Sequence, residues 1–402
     1  MTFIRETVSD FAYLNQKSPD GRLRTSSQIS VGDYKQHVNN AAGQFNTVEI
    51  AGGLATYEGA AIGATTLTTT ATLGDAVIRQ SYQWHPYFAG KPTKIELTAS
   101  RFDVEASVQK RMGYFSSSIV SPYTATLDGM YFENDGTTLR CRVTRAGVTV
   151  FNLEQANWLN QDKLANYDPA DFNFYVIDFL YLGGAVINFW ILTEYGLTLI
   201  AQYQHINVDV NTFVKSPNQP IRYEIISDGG AGTFNHICSD VAVEGLPSRV
   251  GVERTYNNGF TATPTLTADN RYALLGIRLA DRRVPIDIRR LSVLSGSSDD
   301  LLVELYYGGT TVGTPTWLPI TFTNMEGFVG TSLGAAANLV HSGGVRVFSE
   351  YMRGDESLAP AIDNARRLGS YIDGSMEEAY LCITPLTANA TGVGAIDWVE
   401  FL

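Results

Sequence analysis

Charge is what this 402-residue chain has least of: Asp, Glu, Lys and Arg together make up 17% of it, against about a quarter in ordinary globular domains. A surface so thinly ionised suits a protein that covers itself with neighbours, because interface cores are depleted in charge. What charge there is sums to −12, which disfavours a nucleic-acid backbone, whose binding needs clustered Lys and Arg. Cysteine is almost absent. Cys141, Cys238 and Cys382 are odd in number, far apart and never spaced CxxC. That excludes a disulfide framework and leaves free, buried thiols. No apolar run reaches the roughly 18 unbroken residues of a membrane helix. Residues 1–6, MTFIRE, lack a charged region followed by an apolar one, so no signal peptide is expected and the chain should be made and fold in a cytoplasm.

What the chain has instead is strand chemistry. The most informative stretch is Phe172–Tyr203, FNFYVIDFLYLGGAVINFWILTEYGLTLIAQY. Asp178, Gly183-Gly184, Asn188, Glu194 and Tyr195-Gly196 cut it into strand-length pieces, and aromatic and β-branched runs parted by glycine read as antiparallel strands in the middle of a large sandwich. Similar runs recur from Asp75 to about Glu244, with turn signals at Asn134-Asp135-Gly136 and Asp228-Gly229-Gly230. GMYFE-NDG-TTLRCRV reads as a hairpin, Asx-Gly supplying the positive φ of a tight turn. After a break at residues 245–248 come ALLGIRL, VPIDIRRLSVLSG, LLVELYYGG, PTWLPITF, VRVFSEYM, AYLCITPL and AIDWVEFL. The last is expected to be buried on both faces, and only residues 356–368 have weak helical character, limited by Pro360. The expectation is an all-β protein of two antiparallel β-sandwich or jelly-roll-like domains, 75–247 and 248–402, preceded over 1–74 by a polar N-terminal arm, 1–45, and an irregular small-residue segment with short strands, 51–74. Arg282-Arg283 and Arg289-Arg290 alternate with apolar residues and are assigned to a sheet face or to subunit contacts.

No constellation of catalytic residues emerges. Gly330-Thr331-Ser332-Leu333-Gly334 matches G-x-S-x-G, but no acid lies between Ser332 and His341, the one histidine downstream, so a flexible loop is the better reading. Gly90-Lys91-Pro92-Thr93 lacks the leading glycine and the hydroxyl of a phosphate loop. His236 and Cys238, two apart, could share a strand face, yet no further zinc ligands are near; His37, His85 and His205 are scattered. Asp162, Asp168 and Asp171 share a loop that could hold calcium, without the spacing of a calcium hand; ordinary turn acids are expected. The aromatics Trp84, Tyr87, Tyr114, Phe115, Tyr131, Phe132, Trp158, Phe189 and Trp190 invite a sugar-stacking reading, but at strand spacing such residues belong to a core. No catalytic, cofactor-binding or metal residue is therefore assigned, and no cofactor.

One order of segments resembles a known group. RQSYQWHPYFAGK (Arg79–Lys91), MGYFSS, DGMYFENDGTTLRCRV, WLNQDKL, FYVIDFLYLGGAVINFW, NQPIRYEI and HICSDV, then LLGIRL and AIDWVEFL, are similar to virion structural proteins of tailed bacteriophages over roughly residues 75–402. The chain departs from that pattern where Arg111 sits one position early before MGYF, and in its own loop at 117–125. The resemblance implies a structural virion protein at a tail, baseplate, fibre or head-decoration position, assembling with copies of itself and other virion proteins, with no catalytic residue to carry over. A host-surface glycan is the alternative partner, and a polysaccharide-degrading enzyme the rival reading. On this view residues 1–45 order on a neighbour, and a chain lacking residues 2–40 is expected to stay folded.

Overall fold

The computed structural model describes residues 17–401 apart from 20, 22, 23, 25, 26, 38, 40–42, 60, 185, 209, 246–250, 260–264, 331–334, 363–366 and 388. The chain forms two compact units, one of residues 1–81 and 85–248, the other of residues 82–84 and 249–402. The strands of the first are β1 (Gln28–Lys35), β2 (Phe45–Ile50), β3 (Leu54–Tyr57), β4 (Thr65–Thr69), β5 (Ala76–Ser81), β6 (Pro92–Ser100), β7 (Val108–Ser117), β8 (Thr126–Asn134), β9 (Leu139–Arg145), β10 (Val148–Glu154), β11 (Asn173–Leu180), β12 (Val186–Thr193), β13 (Gly196–Gln204), β14 (Ile221–Ser227) and β15 (Gly232–Glu244). They build an eight-stranded sheet in the order β13-β12-β11-β6-β15-β4-β3, with β1 also on β15, and a seven-stranded sheet in the order β10-β9-β8-β7-β14-β5-β2. Every pairing is antiparallel.

The inner residues alternate with outer ones, as a two-layered sandwich requires. Met112 and Tyr114, Met130 and Phe132, and Tyr223 and Ile225 meet Tyr175, Ile177, Phe179, Ile187 and Phe189 in one core. The Phe132 ring lies 5.0 Å from Tyr175 and 5.4 Å from Phe189. The expected hairpin is β8–β9, turning at Gly136 with φ +81°. The segment Phe172–Tyr203 supplies β11, β12 and β13, but at one end of its sheet, with β13 as the edge, and not in its middle.

Of the expected arm, residues 1–16 lie outside the described set, while β1 within it is a strand of this sandwich, as are β2, β3 and β4 after it. β1, β3 and β4 join the eight-stranded sheet and β2 the other. The polar composition of residues 28–36 misled because only Tyr34 and Gln36 are buried, with Val31 half-buried against the core. Tyr34 Oη lies 2.9 Å from His85 Nε2, and Gln36 Oε1 accepts from Thr65 Oγ1 at 3.0 Å and Arg79 Nη2 at 3.1 Å. Burial pushes the pKa of Arg79 down to about 10. Its Nε donates to His236 Nδ1 at 3.4 Å, and the His236 ring stacks on Tyr223 at 3.8 Å.

That histidine sets a pH response. Burial, and after it the charge of Arg79, holds the His236 pKa well below the ordinary value, and burial pushes His341 of the second unit down to about 4. In the unfolded chain both take up a proton near pH 6.5; in the folded chain they do not. Folding stability is therefore lost as pH falls below about 6.5, by up to about 1.4 kcal/mol per pH unit for each group. Asp178, raised to about 6 chiefly by burial and only partly offset by Arg24, works in the opposite sense as pH falls from about 6 to 4. Urea unfolding at pH 7 and pH 5 should show the net loss, and His236→Gln should flatten it.

The second unit contains β16 (Val252–Asn257), β17 (Tyr272–Leu279), β18 (Ile286–Ser295), β19 (Leu301–Tyr307), β20 (Thr310–Thr311), β21 (Leu318–Pro319), β22 (Met325–Val329), β23 (His341–Ser342), β24 (Val345–Met352), β25 (Ser357–Leu358), β26 (Glu378–Pro385) and β27 (Gly392–Glu400). A four-stranded sheet, β16-β27-β18-β25, and a six-stranded sheet, β21-β22-β17-β26-β19-β24, enclose a core of Leu275, Ile277, Ile288, Leu291, Leu381, Ile396 and Trp398. Residues 357–358 form a strand, so the weak helical pattern is overridden there, and residues 363–366 lie outside the described set. β27 is not buried on both faces: Ile396 and Trp398 point into the core, while Val393, Ala395 and Asp397 lie half-exposed on the other side.

Candidate functional site

The residues singled out in sequence mostly take structural places. Trp84, Tyr114, Phe115, Tyr131, Phe132, Trp158, Phe189 and Trp190 are buried, and Tyr87 is half-buried. A β-bulge in β15 between His236 and Cys238 sends the two to opposite faces: His236 pairs with inward Ala99, Cys238 with outward Thr98. They cannot share a ligand. Cys141, Cys238 and Cys382 are free thiols, the first and third buried and Cys238 half-buried. Asp168 Oδ1 accepts from the Ala170 N–H at 2.9 Å, a turn role, and among the described residues no three metal-ligating groups of Asp162, Asp168, Asp171 or any others gather to hold an ion. Gly90 turns at φ +74° straight into β6, and Ser332 lies outside the described residues.

The outer faces of two sheets each carry a cluster of carboxylates in register with an arginine. The first lies on the outer face of the seven-stranded sheet, where Arg111 of β7 stands in register between Glu133 of β8 and Glu224 of β14. Arg111 Nε donates to Glu133 Oε1 at 3.0 Å and its Nη1 to Glu224 Oε1 at 2.5 Å. Arg142 adds a 2.6 Å bond to Glu133, and Arg222 a 2.7 Å bond to Glu224. The loop between β7 and β8 closes over this ladder, its Thr124 carbonyl accepting from Arg111 at 2.8 Å and its Tyr123 carbonyl accepting from Arg222. Both carboxylates are fully buried and saturated by guanidinium groups. Paired with guanidinium groups and without exposed surface, the two carboxylates fasten the sheet and its loop.

The second cluster is open to solvent, on the outer face of the six-stranded sheet. Arg278 of β17 stands in register between Glu326 of β22 and Glu378 of β26. Its Nε donates to Glu326 at 2.7 Å and its Nη1 to Glu378 at 3.4 Å, all three side chains being about a quarter to a third exposed (30, 26 and 24%). The half-exposed indole of Trp317 lies against the guanidinium, 4.7 Å from ring centroid to its carbon. One row along, Phe328, Gly276, Tyr380 and Tyr306 line up across four strands. Gly276 is required there: a Cβ would meet the Phe328 ring at 2.4 Å and Trp317 at 3.1 Å. Trp317 therefore rests in a hollow floored by glycine, its ring 5.1 Å from Phe328. Tyr380 Oη donates to Glu378, and burial together with that carboxylate raises the phenol's pKa, so it stays a donor at neutral pH. Beyond it, Tyr306 Oη donates to Glu304 at 3.1 Å, and Arg346 pairs with the same carboxylate at 3.2 Å. The β21–β22 hairpin that begins next to Trp317 turns at Phe322, which is 89% exposed in the left-handed region at φ +61°.

The face thus offers a flat apolar ring beside a fixed guanidinium and two acceptors, an arrangement that can stack on one side of a polyhydroxylated ring while bonding its edge. Sequence reading did not find it. Its one sequence signal is a tryptophan between two prolines, PTWLP, outside any alternating run.

No protein-family model and no curated sequence matches the chain. Among solved structures it is similar to a protein of unknown function from Shewanella oneidensis (9% identity, 63% of this chain and all of that one, TM-score 0.38). It is also similar to a carbohydrate recognition domain (10% identity, 56% of this chain and all of that one, TM-score 0.36) and a β-glucanase of Bacillus licheniformis (12%, 54% and all, 0.36). Likenesses this distant say nothing about the chemistry of this chain.

Proposed function

We propose that this chain is a non-enzymatic structural protein of a tailed-phage particle, at a tail, baseplate, fibre or head-decoration position, and that its second unit contacts a host-surface saccharide through the Trp317 face. The observation behind the contact is the half-exposed indole already held in place, with Arg278 and its two carboxylates fixed before any ligand arrives. Preorganised polar groups and a rigid ring lose little entropy on binding. The virion reading is supported by an order of segments that resembles phage structural proteins and by the scarcity of charge over the whole chain. Saturation of Glu133 and Glu224 by three arginines supports fastening over hydrolysis.

Two measurements test the proposal separately. Gradient-purified particles should contain the chain in many copies per particle; its absence from them removes the virion reading. Titration with a panel of bacterial surface oligosaccharides, followed by tryptophan fluorescence, should find at least one binder, and Trp317→Ala should weaken it at least tenfold while the thermal midpoint moves by no more than a few degrees. Unchanged affinity in that variant places the contact elsewhere.

A further inference from the structure

The outer face of the four-stranded sheet is an open groove. Two depressions, of about 570 and 420 Å³, join end to end along β16, β27 and β18. One end is charged, lined by Glu253, Arg254, Arg289, Arg290 and Asp397; the other is small and apolar, lined by Leu294, Val393 and Ala395. A sheet face normally packs against a second layer about 10 Å away. Among the described residues its core lies on the opposite side only, and Leu294 at its apolar end is 51% exposed.

We infer that this face is a contact between copies of the chain, two such faces packing against each other about a two-fold axis parallel to the strands. The argument is the distribution of charge. On β18, Arg289 is paired with Asp287 of the same strand at 2.8 Å, whereas Arg290 reaches Asp397 at 2.7 Å across β27 yet remains 61% exposed and carries the positive side of the argument. β16, on the other side of β27, bears Glu253, which has no cation within ion-pair distance among the described residues. A two-fold axis running along β27 exchanges the two flanks, so β18 of each copy faces β16 of the other. Arg290 is level with Thr255 through Asp397, one row of about 7 Å from Glu253, within reach of an arginine side chain. The strand on the axis carries Val393 and Ala395, small enough for two sheets to approach. The same face thereby supplies both signs and a low centre, which a self-complementary interface needs. The sequence had already set Arg289-Arg290 aside for a sheet face or subunit contact, and the bulge between Ile288 and Arg290 is what presents them here.

The inference rests on the self-association that accompanies the virion reading, and light scattering on the purified chain separates the two. The wild-type protein at tens of micromolar should have at least twice the mass of one chain; a monomer overturns both the association and its surface. Leu294→Arg, at an exposed position that tolerates a charge, should lower the mass by dissociating this contact, with the circular-dichroism spectrum unchanged. An unchanged mass overturns the surface alone. Glu253→Arg and Arg290→Glu should each weaken association at least tenfold, and the double variant should recover to within about threefold of wild type. A double variant no better than the single ones overturns the paired arrangement.

Discussion

Arg111→Met should lower the stability of the first unit by about 3–5 kcal/mol, the range for removing one partner of a buried ion pair. Burial works against the charge of Arg111, and the neighbouring Glu224 and Glu133 outweigh it, so the guanidinium is held above its ordinary pKa. Methionine keeps the length of the side chain and removes the charge. Arg142 and Arg222 remain on the outer oxygens of the two carboxylates, but the inner oxygens lose their shared donor at fully buried positions. The loop after β7 loses the bond to its Thr124 carbonyl as well. Arg111→Lys should recover little, because a point charge cannot serve two carboxylates and a carbonyl at fixed angles. Urea unfolding reads the result through a lower midpoint at unchanged slope. A loss under about 1 kcal/mol, the scale of an exposed pair, would mean that the ladder does not fasten these strands.

Removing residues 2–40 should abolish folding of the first unit, the reverse of what the sequence suggests for a detachable arm. The deletion takes away β1, which pairs with β15 from Gln28–Glu244 to Lys35–Cys238. It also takes Tyr34, 4% exposed, whose ring packs 5.0 Å from Phe45. Emptying such an aromatic site costs about 3–5 kcal/mol, a large part of the stability of a typical domain. With Gln36 gone, Arg79 loses an acceptor at a position where burial already opposes its charge. The truncated chain should be insoluble, or give a circular-dichroism spectrum without the strand signal of the intact protein. Tyr34→Ala and Gln36→Ala alone should each lower the thermal midpoint by several degrees. A soluble truncated chain with a cooperative transition would show that β1 is dispensable.

The elements that sequence reading located well share one property: their signal is local. The β8–β9 hairpin is announced by Asn134-Asp135-Gly136, and the β11–β13 run by apolar blocks parted by glycine. Where a polar stretch buries only a few of its side chains, as at Tyr34 and Gln36, alternation is too weak to register, and β1 passed for part of an arm. The pairing of His236 with Cys238 failed for another reason. Two residues apart on a strand means one face only if the ladder is regular, and a bulge is set by the partner strand. β27 shows the same limit from the other side: its apolar composition suggested burial on both faces, yet small residues such as Val393 and Ala395 can floor an open groove.

The candidate site was the least legible. Glu326, Arg278 and Glu378 come from strands β22, β17 and β26, far apart in the chain, and only sheet order makes them neighbours. Trp317 is a single residue in a proline-flanked loop, and Gly276 beneath it reads as one more glycine in a strand. Composition, alternation and Asx-Gly turns, each expressed within a few residues, determined by themselves that this chain is antiparallel β throughout and poor in charge. Which carboxylates are sealed beneath arginines, which tryptophan reaches solvent and which sheet face lacks a second layer among the described residues were decided by tertiary structure alone, because each depends on registers between strands far apart in the chain.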